Sequence, residues 1–240
     1  MQRNLIITKD GSHSVAIPEW QAFYHSVHGA LQESLHVYIE AGFRYWRSQQ
    51  TAATNCVVFE MGFGTGLNAL LTFIEAEQIQ QKIMYETVEA FPLEMSLVQQ
   101  LNYCDALHRP DLMQAFESLH QCEWNKAIAI TDNFTLRKVH TVLTNYSREE
   151  PINIIYYDAF APSAQPELWI EPVFKQLYSL LAPGGILVTY CSKGMVRRAL
   201  LAAGFSVEKI PGPRGKREMI RAEKATSCKT QASSNTNLAE

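Results

Sequence analysis

The sequence has no apolar run long enough to cross a bilayer. Its most hydrophobic stretches, Cys56–Met61 and Ile186–Cys191, are six residues each, against the roughly 20 that a membrane helix needs, so no membrane partner is expected. The start of the chain offers an apolar stretch of only three residues, Leu5-Ile6-Ile7. It has no small-residue cleavage pattern, and the expected location is therefore cytoplasmic. Five cysteines, Cys56, Cys104, Cys122, Cys191 and Cys228, are odd in number and scattered without a CxxC pair. They read as reduced thiols, with neither a disulfide framework nor a zinc site. None of the seven histidines has metal-ligand spacing such as HExxH, and no metal is expected. At 240 residues and 27.2 kDa the chain has room for one large domain and not for two catalytic ones. With 47 % apolar and 19 % charged residues it has the composition of an ordinary folded domain.

The net charge of −3 conceals an asymmetry. Lys193 to Lys229 carries ten Lys or Arg against three Glu, a balance of +7, whereas the chain before it stands at −9. A basic C-terminal third on an acidic body suits a polyanion such as nucleic acid, because clustered charge sets the local field whatever the total. The same charges also read as the solvated face of a helix and two edge strands.

Asn55 to Met61 is a short β-branched run ending in a glycine cluster, and Leu67 to Ile79 repeats apolar residues at helical spacing. Ile83 to Ala90 predicts a second strand, and Pro92 opens a helix carrying Leu93, Leu97, Val98 and Leu101. Asp111 to Leu119 predicts a short helix. Ala127–Thr131 and Phe134–Thr141 flank Asp132-Asn133 as a hairpin. Ile152 to Asp158 reads as the most apolar strand, followed by a helix over Glu171 to Leu181 that Pro183-Gly184-Gly185 ends. After them come a strand over Ile186 to Ser192, a helix over Val196 to Ala203, and two strands, Phe205–Ile210 and Arg217–Ala222. Alternating β and α units with nearly continuous apolar strands imply an α/β fold: a buried, mostly parallel sheet with helices on both faces and a terminal antiparallel strand pair. Ligands bind such a sheet beyond the carboxyl ends of its strands. Residues 1–54, rich in aromatics, are expected to cap that crevice. Residues 55–222 form the catalytic domain, and 223–240, without aromatics or periodicity, a disordered tail.

Three loops at that sheet edge carry chemistry. Glu60-Met61-Gly62-Phe63-Gly64-Thr65-Gly66-Leu67-Asn68 joins the first strand to its helix. Its alternate glycines permit a sharp turn and close backbone approach to a ligand. It lacks the Lys-Ser/Thr of a Walker A loop and the GxGxxG spacing of a dinucleotide fingerprint. Glu89 lies 27 residues beyond Gly62, at the end of the next strand, where a carboxylate can accept both hydroxyls of a ribose. A solvated edge residue is the plain alternative. Tyr156-Tyr157-Asp158-Ala159-Phe160-Ala161-Pro162 delivers one carboxylate to the mouth of the crevice. Asp158 there suits an amine acceptor, holding its lone pair toward a donor and taking up its proton. An Asp that only caps the following loop is the plain alternative.

The GxGxG spacing after an acidic residue resembles the first motif of class I S-adenosylmethionine-dependent methyltransferases, a Rossmann-like fold. Further along, DAFAPSAQPELW (Asp158–Trp169), APGGILVTY (Ala182–Tyr190), KGMVRRALLAAGF (Lys193–Phe205) and GKREM (Gly215–Met219) occur in order. YHSVHGALQESLHVYIEAGF (Tyr24–Phe43), GFGTGLN (Gly62–Asn68) and VEAFPL (Val88–Leu93) precede them. Together these resemble the methyltransferase half of the MnmC family and its stand-alone MnmD relatives, from Tyr24 to about Ala222. The resemblance implies S-adenosylmethionine-dependent N-methylation of the 5-aminomethyl group of wobble (2-thio)uridine in tRNA. The enzyme would be monofunctional, with no flavin and no metal. A monomer is expected on a separate ground, that no exposed apolar stripe is evident in the sequence.

Carried over residue by residue, the resemblance puts Glu60, Gly62, Gly64, Thr65, Gly66, Asn68, Glu89, Thr141 and Asp158 around the cofactor, with Asp158 as the catalytic carboxylate. Glu33 falls near the cofactor or the substrate amine, Phe160 and Pro162 shape the base pocket, and Lys193, Arg197, Arg198, Lys216 and Arg217 meet tRNA phosphates. Arg217 and Glu218 read equally well as an ion pair. Where many relatives carry Gly-Asp for adenine, this chain has His140-Thr141, which leaves adenine to backbone amides or to Thr141. Two rival readings are a methyl or aminopropyl transferase acting on a small amine, and a non-catalytic tRNA-binding module.

Overall fold

The computed structural model describes residues 1–50 and 55–226. A small antiparallel sheet comes first, β1 (Asn4–Ile7), β2 (His13–Ile17) and β3 (Ala22–Phe23). The main sheet has eight strands: β4 (Cys56–Met61), β5 (Ile83–Val88), β6 (Ala127–Ala129), β7 (Phe134–Val139), β8 (Ile152–Tyr157), β9 (Leu181–Thr189), β10 (Ser206–Pro211) and β11 (Glu218–Glu223). Their order is β10-β11-β9-β8-β4-β5-β7-β6. The five central strands are parallel; β6 is antiparallel to them at one end, and at the other β11 is antiparallel to β9 and β10 is antiparallel to β11. The chain leaves β4 in one direction to β5 and later returns on its other side to β8. That reversal opens a crevice at the carboxyl ends of β4 and β8.

Strand alternation divides the core in two. Val58, Tyr85, Tyr156 and Val188 face one layer, with the helix Leu67–Ile79, the long helical segment 30–48 and the helix Met113–Gln121. Phe59, Tyr157 and Leu187 face the other, with Trp169, Glu171–Leu180 and Gly194–Ala202. Segment 30–48 does more than the cap expected of it: it covers one face of the sheet against β8, β9 and β11. Its middle, Leu35–Arg44, is a π-helix, a rare conformation that re-aims side chains relative to an α-helix. β1–β3 and the loops around them lie over the crevice, and segment 30–48 reaches it through Glu33.

Three boundaries differ from expectation. The helix expected from Pro92 is reduced to Met95–Val98, because Arg3 donates to the carbonyls of Phe91 and Pro92 and takes acceptors that a helix needs. Pro183-Gly184-Gly185 does not separate helix from strand but lies within β9. Gly184 adopts φ +74° there and exchanges backbone hydrogen bonds, together with Gly185, with Lys224. Glu223, assigned to the tail, ends β11, and Lys224 Nζ donates to the carbonyls of Tyr178 and Leu181 at 2.9 and 2.7 Å. The junction 51–54, residues 227–240 and Cys228 lie outside the described residues. Among the described residues no helix is long and apolar enough to cross a membrane, and no cluster of three metal-binding side chains occurs.

Candidate active site

The crevice is a cavity of about 700 Å³. Its wall includes Glu33, Glu60, Gly62, Gly64, Thr65, Asn68, Glu89, Thr141, Asp158, Phe160 and Lys216, so three loops distant in sequence converge as expected.

The glycine loop is pinned from several sides. Gly62 N–H donates to Val88 O at 3.0 Å, and Gly64 N–H donates to Glu89 Oε2 at 3.0 Å. The Thr65 carbonyl accepts from His120 Nε2 at 3.0 Å, and the Thr65 hydroxyl lies 3.4 Å from His25 Nε2. Burial pushes both imidazoles down to about 4, so they hold the loop as neutral rings. Gly64 and Gly66 have φ of +50° and +72°. A Cβ at Gly64 would lie 3.0 Å from the Tyr24 ring and one at Gly66 2.6 Å from His120 Nε2. Gly66 therefore faces His120 behind the loop and does not reach the cavity wall, contrary to the role expected of it.

At the centre, the Tyr38 hydroxyl donates to Asp158 Oδ1 at 2.5 Å. Asn68 Nδ2 donates to both Asp158 Oδ2 and Glu60 Oε1 at 2.9 Å. Burial pushes Asp158 up to about 7, the nearby Glu33 charge adds to the rise, and the hydrogen bonds from Tyr38 and Asn68 oppose it. Burial also holds Glu60 well above the usual carboxylate range. Asn68 Oδ1 is buried without a hydrogen-bond partner, which is costly unless a donor arrives, and the buried Glu60 carboxyl has the Tyr85 hydroxyl beside it. An orphaned amide oxygen beside a glycine loop fits the α-ammonium of a methionine. Glu89, with Oε1 accepting from Phe91 N at 2.8 Å, retains lone pairs for ribose hydroxyls. These features match the donor set that S-adenosylmethionine needs.

Other expected residues fall elsewhere. Pro162 is buried and absent from the wall, which is formed by Ala161, Ser163 and Ala164. Phe160 is in place and meets Trp20 and Tyr24 edge-on at 5.6 and 5.1 Å. The backbone amides of His140 and Thr141 are already used, by Asn125 Oδ1 and Val139 O, so Thr141 is available through its side chain. Lys216 does not face outward: its ammonium pairs with Glu33 inside the cavity. Glu218 pairs with Lys209 at 2.7 Å in place of Arg217. Lys193, Arg197, Arg198 and Arg217 are exposed and outside the cavity. With Arg214 they form no ion pair among the described residues. Tyr38, His25, His120 and Tyr190 are the site residues that the sequence reading missed. Tyr38, His25 and Tyr190 lie within quoted motifs, but nothing in the spacing shows that a π-helix turns Tyr38 toward Asp158.

A sequence profile of an S-adenosyl-L-methionine-dependent methyltransferase family matches residues 102–225, half of the chain. The chain belongs to that family. It is 31 % identical over 228 residues to the tRNA 5-methylaminomethyl-2-thiouridine biosynthesis bifunctional protein MnmC of Cupriavidus metallidurans, covering 89 % of this chain and 33 % of the relative. The chain thus spans about a third of the length of this curated relative and corresponds to its methyltransferase domain. Among solved structures, MNMC2 from Aquifex aeolicus superposes with a TM-score of 0.76 at 19 % identity, over 94 % of this chain and 71 % of that one. Spermidine synthase from Thermotoga maritima superposes at 0.59 with 10 % identity, over 92 % and 68 %. The fold is that of the class I methyltransferases, and the cofactor is S-adenosylmethionine.

Proposed function

We propose that this methyltransferase N-methylates the 5-aminomethyl group of wobble (2-thio)uridine in tRNA, and that it acts with no flavin step of its own. The observation that carries this reading is the Asp158 carboxylate, held by Tyr38 and Asn68 in the cavity that the glycine loop also lines. The MnmC relative, whose name specifies 5-methylaminomethyl-2-thiouridine, supports the choice of acceptor.

When bound, S-adenosylmethionine supplies an electrophilic methyl on a sulfonium. The protein has to present a neutral amine to it in line. With that cofactor bound, Gly62 and Gly64 would admit its methionine portion, Asn68 Oδ1 would receive its ammonium, Glu89 would accept the ribose hydroxyls, and Thr141 would be the side chain available to adenine. Asp158 accepts a hydrogen bond from the acceptor amine, which aims its lone pair, and then takes its proton. A carboxylate raised to about 7 is a better proton acceptor than an ordinary one, and at neutral pH about half of it is ionised and ready to accept. Tyr38 and Asn68 hold the carboxylate in one orientation. Phe160, with Trp20 and Tyr24, offers an aromatic wall to the uracil ring. The exposed Lys193, Arg197, Arg198 and Arg217 give the surface a positive rim for the tRNA backbone.

The structural likeness to a spermidine synthase supports a second reading, transfer to a small polyamine. Both readings are tested by methyl transfer from labelled S-adenosylmethionine to tRNA bearing 5-aminomethyluridine, with unmodified tRNA and spermidine as parallel acceptors. Label in the aminomethyl tRNA alone is the expected result. Label in spermidine would replace the first reading with the second.

A further inference from the structure

The cavity already holds an alkylammonium. Lys216, on the turn between β10 and β11, donates from Nζ to Glu33 Oε1 and sits over the Tyr190 ring, 3.9 Å from its centroid. Both partners are fixed independently of this lysine. Glu33 Oε2 accepts the Ser26 N–H at 2.6 Å, and its side chain is only 9 % exposed. The Tyr190 hydroxyl donates to Ala159 O at 2.8 Å, and its ring packs edge-on against the fully buried Trp169 at 6.1 Å. A rigid carboxylate beside a rigid aromatic face is a receptor for alkylammonium ions. The lysine, by contrast, reaches it through a flexible four-carbon stem and keeps 31 % of its side chain exposed.

The location matters as much as the chemistry. Glu33, Tyr190 and Lys216 line the same cavity as Asp158, and the charges of Glu33 and Lys216 both act on that carboxylate. The 5-aminomethyl group of the proposed substrate is itself an alkylammonium in water, like other primary amines. The turn that carries Lys216 is flanked by exposed Arg214 and Arg217. A displaced lysine would emerge among cations where a phosphate backbone can receive it.

We infer that Glu33 and Tyr190 form a cage that captures the acceptor as its ammonium on entry, before it gives that proton to solvent and meets the methyl donor as the neutral amine, and that Lys216 occupies the cage as an internal competitor until the acceptor displaces it. This assignment rests on the reading of the acceptor as an amine and adds to it which groups capture that amine and what guards the site. An alkylammonium must outcompete Lys216, so the cage discriminates against weakly bound cations.

The test is calorimetric titration of two ammonium ligands, benzylammonium and the nucleoside 5-aminomethyluridine, into the protein loaded with S-adenosylhomocysteine. The nucleoside 5-hydroxymethyluridine serves as the uncharged control. Lys216→Met is expected to bind both ammonium ligands about tenfold more tightly than the unsubstituted protein, the gain expected when an internal occupant is removed. The control should be unchanged, and adding Glu33→Gln should abolish the gain. Equal or weaker binding of both ammonium ligands by Lys216→Met overturns the inference. Should that variant fail to fold, the unsubstituted protein gives the answer through acylation of Lys216 by an amine-reactive ester, read by peptide mass spectrometry. 5-Aminomethyluridine should raise Lys216 labelling, and unchanged or reduced labelling overturns the inference. A gain for benzylammonium with none for the nucleoside would uphold the cage and count against the uridine acceptor. Methylation of aminomethyl tRNA with no gain for either ammonium would uphold the acceptor and remove the cage.

Discussion

The Tyr38 hydroxyl reaches Asp158 Oδ1 at 2.5 Å across 120 residues of sequence, joining the π-helical segment to the carboxyl end of β8. Burial keeps the Tyr38 phenol well above its usual range, so it is a constant donor. A hydrogen bond to a charged group contributes ~1.5–3 kcal/mol. Tyr38→Phe should therefore reduce turnover at neutral pH by roughly 10- to 100-fold. Because this hydrogen bond lowers the Asp158 pKa, its loss should also move the acidic limb of the rate profile to higher pH. An unchanged limb in a kcat-against-pH measurement would show that Tyr38 does not tune Asp158.

Asp158 also links activity to stability. Burial raises its pKa from 3.8 to about 7, so between those values the folded protein keeps a proton that the unfolded chain has released. Stability is therefore lost as pH rises through this window, and the loss is complete above it. Asp158→Asn should be more stable than the unsubstituted protein at pH 8, by an amount on the order of 1–4 kcal/mol. The gain should shrink toward pH 4. Thermal melts at the two pH values check this, and a gain of equal size at both would mean that another cause dominates.

How much of this was legible in the sequence follows the range of the physics. Strand alternation and glycine spacing are local, so the runs at Cys56–Met61, Ile83–Val88 and Ile152–Tyr157 and the helix Leu67–Ile79 are found where periodicity predicts them. Carboxylates at strand ends follow from the same periodicity, which is why Glu89 and Asp158 meet at one cavity. What escapes is set by contacts across the fold. Arg3 takes the carbonyls that a helix after Pro92 would use. Lys216 carries the charge of a phosphate contact, yet Glu33, 183 residues away, turns it inward. His25 and His120 look like ordinary surface histidines until the fold seats them against Thr65.

The glycine loop should tolerate little. At Gly66 a Cβ would add left-handed strain at φ +72° to a 2.6 Å approach to His120 Nε2. Left-handed backbone alone costs an L-residue about 1–2 kcal/mol. Gly66→Ala should destabilise the fold by more than about 2 kcal/mol in denaturant titration and weaken cofactor binding. Adding His120→Ala should recover part of both losses, and no recovery would show that the steric approach is not the cause.

The exposed arginines of the helix Gly194–Ala202 should act on tRNA and not on the cofactor. Arg197→Glu with Arg198→Glu is expected to weaken tRNA binding and to lower the slope of log affinity against log salt by about 1 for each phosphate no longer neutralised. Cofactor affinity should be unchanged. An unaltered slope in filter binding across a salt series would place the tRNA on another face.

The central claim is that Asp158 handles the proton of an amine acceptor in the cofactor cavity. Single-turnover methyl transfer to tRNA carrying 5-aminomethyluridine, by the unsubstituted protein and by Asp158→Asn, tests it most directly when the cofactor affinity of each is measured alongside. The variant should bind S-adenosylmethionine about as well as the unsubstituted protein and transfer its methyl at least ~100-fold more slowly, the lower end of the range for loss of a general base. Transfer at an undiminished rate would contradict the claim.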